Sequence, residues 1–382
     1  MKILYYCWDE ITAADCIDSM RRLSYEVHVF EAPLQDYDRD PRFMEQIGEV
    51  LKEKYDCIFS FNFYPILSRA AKLYGTKYVS WIFDSPLLTL ESVTLDDPVN
   101  EVFIFDRMLY QKYAAQGIRT VHYLPLAYHS HRLSGNEDPV SWQHDITFLG
   151  TLYDDENNFF DQIRYMPEKL RGYIDGVMDA QKLVYGCDLV EPLFNREKCQ
   201  KLADYVKIDM GPLYRDCRDD IFRDMIRKKL TVIERREYLY RLGNRFSVDL
   251  YAPKAPEDLP VRYMGYANYV QEMPGIFRSS KINLNITLRS ILSGIPLRVI
   301  DILGAGGFVL TNYQAELPEY FINGEDLVWY ESEGDMVEKA AFYLEHDTER
   351  QRIAENGHRK AEQIFTYEKL LPELFSMAGV VN

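Results

Sequence analysis

Short apolar segments alternate with helical patterns along the first third of the chain, which has 382 residues in all. After the first apolar segment, Ile11, Ala14 and Ile17 recur at the spacing of one helix face. The apolar segments predict strands at residues 2–6, 25–30, 57–61, 78–83, 102–105 and 121–124. Strands that alternate with helices indicate a parallel, doubly wound sheet.

A polar stretch with Gly and Pro, residues 134–142, interrupts this pattern and predicts a linker between two domains. Residues 155–243 show mostly helical spacing and predict a helical insertion. The strands predicted for the second domain are residues 145–150, 246–251, 261–264, 281–286, 308–310 and 327–330. The pattern therefore predicts an α/β fold of two doubly wound, Rossmann-like domains, residues 1–135 and 136–365.

The most informative stretch, residues 281–312, combines a strand, a polar loop, a helix and a second strand. Pro296 suits the first turn of that helix, because its missing N–H would have no partner there in any case. Anionic ligands bind at the carboxyl ends of strands in α/β folds, beside helix N-termini. The loop at this position carries the polar side chains of Asn285, Thr287, Arg289, Ser290 and Ser293.

Two charged residues of this stretch suit a phosphorylated ligand. Arg289 offers a planar fork that can bind phosphate through two hydrogen bonds. Asp301, two turns into the helix, offers a carboxylate that can accept both hydroxyls of a ribose. The alternative from the residues alone is an ordinary strand–helix unit in which Arg289 and Asp301 are solvated.

Composition narrows the classes of partner. The formal net charge of −16 argues against nucleic acid and anionic membranes as partners. Six cysteines without CxxC spacing predict reduced thiols in a cytoplasm rather than disulfides or a zinc site. The N-terminus lacks the shape of a signal peptide and no apolar run is long enough to span a bilayer, so we expect a cytoplasmic protein without a transmembrane segment. The histidines His122, His129 and His131 form no tight cluster with carboxylates, so we expect no metal site.

Two groups of basic residues lie in the predicted insertion. They are the run Arg227-Lys228-Lys229 and the pair Arg235-Arg236. Because they alternate with acidic and apolar residues, they predict a solvated helix face rather than a binding site.

The segment from Ser293 to Asp301, SGIPLRVID, resembles the nucleotide-sugar site of group 1 GT-B glycosyltransferases. Members of that group carry two Glu residues separated by seven residues, and the same spacing here matches Asp301 to the second Glu and Ser293 to the first. The stretches FSFNFYP, WIFDSPL, FIFD and YLPLA, together with Arg298 and a GGF turn, are similar to CgeB-like glycosyltransferases with an N-terminal domain of unknown function. The resemblance covers most of the chain. It implies the GT-B fold, in which two domains face each other across a cleft and the terminal helix, about residues 366–382, packs back on the first domain.

The resemblance also implies how a donor would bind. Asp301 would hold the nucleotide ribose, and the turn with Tyr266 would contact the base. The donor is expected to be a nucleotide sugar, most of all a UDP-sugar, which binds as a substrate without a cofactor or a metal ion. The predicted donor-binding residues are Gly150, Tyr266, Asn285, Thr287, Arg289, Ser293, Arg298, Asp301, Gly306 and Gly307.

The implied reaction is transfer of a sugar to a hydroxyl of a glycan, a protein or a small molecule. Ser293 cannot supply the negative charge that the Glu of retaining relatives supplies, so we expect a catalytic base on a strand end of the first domain. Asp84 is the first candidate, with capping of the following turn as its alternative role, and Asp9 is the second. The residues predicted on the acceptor side are Trp8, Asn62 and Ser85.

Two alternative functions stay open at this point. One is a GT-B nucleotide-sugar epimerase, and the other is a non-catalytic nucleotide-sugar-binding partner subunit, which the replacement of Glu by Ser293 would permit. The sequence leaves the donor sugar, the acceptor, the stereochemistry and the oligomeric state open.

Overall fold

The structure is a computed structural model that describes residues 1–133, 141–154, 158–163 and 165–380. The predicted linker, residues 134–142, lies almost entirely outside these described residues.

The described residues contain twelve strands, one for each predicted apolar segment. They form two six-stranded sheets in which every neighbouring pair is parallel. The strands are β1 Lys2–Cys7, β2 Glu26–Glu31, β3 Cys57–Phe61, β4 Lys77–Ile82, β5 Asn100–Ile104, β6 Val121–Tyr123, β7 His144–Leu149, β8 Val248–Tyr251, β9 Arg262–Gly265, β10 Ser280–Asn285, β11 Val309–Asn312 and β12 Val328–Tyr330. Their orders are β2-β1-β3-β4-β5-β6 and β12-β11-β10-β7-β8-β9, which confirms the predicted α/β fold with two doubly wound sheets.

Helices connect most of these strands and continue beyond the last one. They are α1 Ala13–Arg22, α2 Pro41–Val50, α3 Pro65–Tyr74, α4 Arg107–Ala115, α5 Ser130–Leu133, α6 Glu168–Lys182, α7 Val190–Leu193, α8 Arg196–Ala203, α9 Arg218–Gly243, α10 Met273–Ser279, α11 Leu297–Gly304, α12 Leu317–Tyr320, α13 Glu333–Glu345, α14 Asp347–Ile364 and α15 Tyr367–Met377. None of the helices in the described part of the chain is both long enough and apolar enough to span a membrane.

The chain divides into two compact units. The first unit comprises Met1–His129, Asp209–Cys217 and Ile364–Asn382, and the second comprises Ser130–Ile208 and Arg218–Gln363. Each unit contains one of the two sheets.

The segment Asp209–Cys217 differs from the sequence-based expectation, because it lies in the predicted insertion yet belongs to the first unit. Backbone hydrogen bonds attach it there: Val93 N donates to Leu213 O at 2.9 Å, and Arg215 N donates to Glu91 O at 2.8 Å. Nothing in the local sequence pattern indicates these long-range bonds.

The first sheet is covered on both faces, so the strands at its centre are continuous apolar runs, as parallel strands usually are. All five residues of β3 are buried, for example. The last helix, α15, packs on the same face as α1, where the Phe375 ring lies 5.5 Å from the Tyr25 ring and 6.0 Å from the Phe59 ring. The C-terminal helix is therefore part of the core of the first unit.

Helices α6 to α9 form the predicted insertion in the second unit. Their apolar residues, among them Ile174, Phe194 and Phe222, build a core of their own. Helix α9 has 26 residues, which is roughly 39 Å of helix, and its second half leaves this core and packs on the second sheet through Tyr238 and Leu239.

The basic residues of α9 only partly follow the prediction of a solvated face. Arg227 and Arg235 are buried, with exposed fractions of 6% and 8%. Lys228, Lys229 and Arg236 are half-buried. The prediction is wrong for the two buried arginines, because α9 packs against both the other helices of the insertion and the second sheet.

Candidate functional site

Strands β7 and β10 are neighbours at the centre of the second sheet, and the chain continues from them in opposite directions. β8 and β9 extend the sheet on the β7 side, whereas β11 and β12 extend it on the β10 side. Loops that diverge in this way leave a crevice at the carboxyl ends of the strands, which is where open α/β folds bind ligands. We call the residues that follow β7, β9, β10 and β11 (residues 150–153, 266–269, 286–296 and 313–316) the carboxyl edge of the second sheet.

Asp301 is the centre of a polar cluster at this edge. Its residue is 2% exposed, and the Tyr269 hydroxyl donates a hydrogen bond of 3.0 Å to its carboxylate. Arg298 lies one turn earlier in α11, with its Nη1 3.9 Å from the carboxylate and 2.9 Å from the Met273 sulfur. The carboxylate predicted to bind a ribose thus lies beside a cation and a hydroxyl group instead of being solvated.

Tyr269 brings the loop after β9 into this cluster. Its ring lies 4.5 Å from the guanidinium carbon of Arg132, which also donates a hydrogen bond of 3.1 Å to the Tyr269 carbonyl. On the same loop Tyr266 is 65% exposed. The loop that contacts Asp301 through Tyr269 therefore also presents an exposed aromatic ring, that of Tyr266.

The side chains of Asn285 and Thr287 connect the ends of β10 and β11. Asn285 Nδ2 donates to Thr287 Oγ1 at 3.0 Å and to Thr311 Oγ1 at 2.9 Å. The Thr287 backbone N–H donates to Asn312 Oδ1 at 2.7 Å. These buried bonds hold the loop in place, so both residues position the loop in this structure.

Arg289 differs from the prediction of a phosphate-binding residue. Its guanidinium donates two hydrogen bonds to Glu234, of 2.8 and 2.5 Å, and a third, of 3.1 Å, to the Val184 carbonyl. The guanidinium carbon also lies 4.2 Å from the centre of the Tyr185 ring. Although burial lowers the pKa of Arg289, the nearby Glu234 carboxylate offsets this and the pKa is raised. Arg289 therefore anchors its loop to α9 through an ion pair with Glu234. The sequence did not indicate this pair.

Ser293 is paired with a carboxyl group that sequence reasoning missed. Its hydroxyl donates a hydrogen bond of 2.7 Å to Glu316, and the Glu316 backbone N–H donates one of 3.2 Å to the Ser293 carbonyl. Both residues are buried. Glu316 follows β11, so only the parallel pairing of β10 with β11 brings it to Ser293.

The turn Gly306-Gly307 does not lie at the carboxyl edge, which corrects the predicted phosphate site. It follows α11 and precedes β11, so it lies at the opposite edge of the sheet from the loop that starts α11. Gly306 has a φ of +75°, which favours glycine. A Cβ on Gly307 would lie 2.8 Å from Asn283 Nδ2 and 2.9 Å from Ile302 Cγ2, so packing explains this glycine.

Gly150 and Arg235 lie where the loops after β7 and β10 meet. Arg235 Nη1 donates to the Thr151 carbonyl, and its Nε and Nη2 donate to the Ile286 carbonyl at 3.2 and 2.6 Å. A Cβ built on Gly150 would lie 3.7 Å from Arg235 Nη1. The predicted donor glycine thus lies directly beside a buried arginine that the sequence assigned to a solvated face.

A pocket with an empty volume of about 360 Å³, open to solvent, lies beside the loop after β10, and Arg289 is one of its lining residues. Its wall combines the carboxyl edge with the insertion, and it includes Gln181, Asp188, Arg227, Thr287, Asn312 and Gln314. The insertion therefore borders the carboxyl edge of the second sheet.

In the first unit, Asn62 and Asp84 follow adjacent strands and meet. Asn62 Nδ2 donates a hydrogen bond of 2.7 Å to the Asp84 carboxylate, and Asn62 Oδ1 accepts bonds of 3.2 Å from the backbone N–H groups of Phe83 and Asp84. Burial raises the pKa of Asp84, whereas the hydrogen bond from Asn62 acts in the opposite direction. By solvent accessibility Asp84 is nevertheless an exposed residue, so water screens the carboxylate. The peptide bond that follows, Ser85-Pro86, is cis.

The loop after β1 places Trp8, Asp9 and Glu10. Trp8 Nε1 donates to the Phe61 carbonyl at 3.2 Å, and Asp9 is exposed with a φ of +72°. Glu10 is 5% exposed and accepts hydrogen bonds from the Tyr5 hydroxyl at 2.6 Å and from the Trp8 backbone N–H at 3.0 Å. Burial raises the pKa of Glu10. Glu10 thus fixes the loop after β1. Asp9 lies on that loop, whereas Asp84 lies on the loop after β4.

A search of the described residues finds no group of three or more His, Cys, Asp and Glu side chains placed to hold a metal ion.

Comparison with known proteins adds to these findings. A family model described as "Glycosyl transferase-like" matches residues 232–376. No curated protein matches the chain. Solved structures with a similar fold include a glycosyltransferase from Rickettsia africae ESF-5 (10% identity, covering 99% of this chain and 97% of that chain, TM-score 0.53) and Anabaena Alr3699/HepE in complex with UDP-glucose (10% identity, 100% of each chain, TM-score 0.54). A third is sucrose-phosphate synthase from Thermosynechococcus elongatus (11% identity, covering 99% of this chain and 100% of that chain, TM-score 0.53).

At such low identity these likenesses establish the fold and not the activity. The chain has the α/β fold of the GT-B glycosyltransferases, as the sequence predicted. The closer resemblance to CgeB-like proteins stays a prediction.

Proposed function

Since residues 232–376 match a glycosyl transferase-like family and the chain has the GT-B fold, we propose that the protein is a glycosyltransferase. It transfers a sugar from a nucleoside-diphosphate sugar, a UDP-sugar, to a hydroxyl of a glycan, a protein or a small molecule. The observation that supports this function best is the buried carboxylate of Asp301 beside Tyr269 and Arg298 at the carboxyl edge of the second sheet. The UDP-glucose bound in the solved structure of Anabaena Alr3699/HepE supports a uridine nucleotide as donor.

In this proposal Asp301 accepts hydrogen bonds from the ribose hydroxyls, and Tyr266 stacks on the base. A buried carboxylate binds hydroxyls strongly because a hydrogen bond to a charged acceptor contributes about 1.5–3 kcal/mol. Tyr269 and Arg298 hold the carboxylate in place before the ligand arrives, so binding does not require it to reorient.

The leaving group is a nucleoside diphosphate, whose negative charge grows as the glycosidic bond breaks. Arginine side chains at the site stabilise that charge electrostatically, and Arg298 is one of them. The proposed reaction therefore needs no metal ion and no cofactor.

Asp84 is the proposed base, which removes the proton from the acceptor hydroxyl. Burial raises its pKa, and a more basic carboxylate is a better general base at neutral pH. Asn62 fixes its orientation through the hydrogen bond of 2.7 Å. Direct attack assisted by this base would invert the configuration at the anomeric carbon.

Calorimetry with UDP tests the donor site. Asp301→Ala should weaken UDP binding by about 1.5–3 kcal/mol, because it removes a charged acceptor. Asp179→Ala is the matched control, since Asp179 is exposed on α6 in the same unit and the change in charge is the same. Equal UDP affinity in both variants and the native protein would contradict the assignment of Asp301.

The reaction itself is tested by incubating the protein with UDP-sugars and measuring the products. Release of UDP, with transfer or slow hydrolysis of the sugar, is the expected result. An altered UDP-sugar without UDP release would indicate an epimerase instead. Binding without any chemical change across donors and acceptors would indicate a non-catalytic protein.

A further inference from the structure

The pocket between the insertion and the loop after β10 lies apart from the cluster around Asp301. We call it the insertion pocket, because residues 181–188 and Arg227 of the insertion form one side of it. The loop after β10, together with Asn312 and Gln314, forms the other side. Neither Asp301 nor its neighbours Tyr269 and Arg298 line it. The insertion pocket is therefore not part of the candidate nucleotide site.

The insertion side of this pocket is held in a fixed conformation. Gln181 is 3% exposed, and its side chain donates a hydrogen bond of 2.9 Å to the Cys187 carbonyl and accepts one of 2.6 Å from the Leu189 backbone N–H. Gly186 has a φ of +74°, and a Cβ there would lie only 2.4 Å from the Tyr313 ring. The wall is thus formed before a ligand binds, so binding does not carry the cost of ordering it.

The charged residues of the insertion pocket neutralise one another. Asp188 lies 2.5 Å from Arg227, and its carboxylate also accepts hydrogen bonds of 3.3 and 3.2 Å from two backbone N–H groups at the start of α7. Arg289 is paired with Glu234 at 2.5 Å. Since each charge already has its partner, an ionic ligand would find no counter-charge that could offset the loss of its hydration. The pocket therefore favours a neutral ligand.

Two buried side chains of the wall keep hydrogen-bonding groups that the protein does not use. Gln314 is 6% exposed and donates through Nε2 to the carbonyls of Ile291 and Gly294 at 3.2 and 3.3 Å, but its Oε1 accepts no hydrogen bond from the described residues. Thr287 is 4% exposed and accepts a bond of 3.0 Å from Asn285, but its own O–H has no acceptor among those residues. A hydroxyl group suits both, because it can donate to one and accept from the other.

Apolar side chains complete the lining of the insertion pocket. Leu288, Ile291 and Leu292 are half-buried and contribute to its wall. Its empty volume of about 360 Å³ lies at the lower end of the range of about 300–1,000 Å³ that is usual for ligand pockets. A single sugar unit combines the features that this lining requires, since it carries hydroxyl groups at its edge and C–H groups on its faces.

We propose that the insertion pocket binds a sugar unit, with Gln314 Oε1 as acceptor and the Thr287 hydroxyl as donor of hydrogen bonds to its hydroxyl groups. The ligand class, a neutral carbohydrate, follows from the pocket itself. That this sugar belongs to the acceptor rests on the proposed function, and it selects a glycan among the three classes of acceptor named there. The insertion thus takes part in the choice of acceptor.

Cys187 provides a reporter for the first test, because it lines the pocket and is exposed. The other five cysteines, which all lie in the described part of the chain, are half-buried or buried. The rate of alkylation by iodoacetamide is followed by mass spectrometry of peptides while neutral mono- and disaccharides are screened without nucleotide. At about ten times its dissociation constant, a bound sugar should slow the alkylation of Cys187 about tenfold. The alkylation of the half-buried Cys7 in the first unit should not change, and inorganic phosphate should not protect Cys187.

A bulky substitution in the pocket provides the second test. Cys187→Trp fills the pocket, and Leu183→Trp is the matched control, since Leu183 is 82% exposed on the same insertion and does not line the pocket. Cys187→Trp should raise the KM for a glycan acceptor roughly tenfold or more, whereas Leu183→Trp should leave it unchanged. Calorimetry should give native UDP affinity for both variants, because the pocket contains no residue of the cluster around Asp301.

The outcomes separate this inference from the proposed function. If no neutral saccharide protects Cys187, or if phosphate protects it instead, the inference is overturned and the glycosyltransferase proposal stands. Protection by UDP-sugars but by no free saccharide would assign the pocket to the donor and would also overturn the inference. Protection by free saccharides in a protein that binds no nucleotide and transfers no sugar would support the ligand class and overturn the proposed function. The protection experiment uses the native chain, so it decides the matter even if Cys187→Trp does not fold.

Discussion

Replacing Glu234 tests whether Arg289 has a structural role or binds phosphate. The Glu234 side chain is 1% exposed, the Arg289 side chain is 11% exposed, and two hydrogen bonds of 2.8 and 2.5 Å join them. Glu234→Gln leaves a buried arginine without its anion, which costs about 3–5 kcal/mol of stability in the second unit. Arg289→Met should cost a similar amount, because it leaves Glu234 buried and charged. The double variant should lose less than either single variant, since a neutral pair has no buried charge to solvate.

The free energy of unfolding of the second unit is best measured by hydrogen exchange of peptides from α9 and β10. A global unfolding signal would mix the contributions of the two units. The three variants and the native protein form a double-mutant cycle, in which we expect a coupling energy of about 2 kcal/mol or more. Single effects that add to within about 0.5 kcal/mol would refute the buried ion pair. The double variant should also bind UDP with native affinity. Loss of UDP binding in a folded double variant would show that Arg289 binds phosphate after all.

The remaining predictions concern the base, the metal and the glycine turn. Asp84→Asn should lower the transfer rate about 10²–10⁴-fold without weakening UDP binding, and NMR of the anomeric coupling should show an inverted product. Because burial raises the pKa of Asp84 and the base acts when deprotonated, native activity should be present above that pKa and fall as the pH drops through it. An active Asp84→Asn variant with a retained product would contradict both expectations. Transfer should survive EDTA, and loss of activity that magnesium or manganese restores would refute the metal-free proposal. Gly307→Ala should destabilise the second unit by about 1–3 kcal/mol, since its Cβ would lie 2.8 Å from Asn283, and it should leave UDP affinity unchanged. Native stability in a urea titration would show that the surroundings can adapt.

The fold could be predicted from the sequence because parallel strands buried on both faces are continuous apolar runs. β3 and β10, for example, were predicted within one residue of their observed ends. The segment Asp209–Cys217 could not be placed in this way, because backbone bonds to residues more than a hundred positions away decide which unit it joins. Local periodicity carries no information about such partners.

One residue of the candidate site could be singled out for the same reason. Asp301 was singled out because its spacing from Ser293 is local, and the structure buries it beside Tyr269, while its binding role stays a prediction. Arg235 and Arg236 could not be told apart, since two adjacent basic residues on a helix look equivalent until the neighbours of the helix are known. Their side chains leave α9 about 100° apart, so Arg235 is buried against the loops of the second sheet, whereas Arg236 is half-buried and paired with Asp154 and Asp258.

Ser293 stands where the family pattern has its first Glu, and the loop sequence alone gives an incomplete picture of the carboxyl groups at this position. The missing Glu at this position was the reason to consider a non-catalytic protein. In the folded chain the carboxyl group of Glu316 lies 2.7 Å from the Ser293 hydroxyl, although the two residues are separated by 23 positions. The pairing of β10 with β11 places their carboxyl ends side by side, so a carboxyl group can reach the same place from the next strand. The absence of Glu at position 293 therefore does not leave this part of the site without a carboxyl group, and it is no longer a reason to prefer a non-catalytic protein over a transferase.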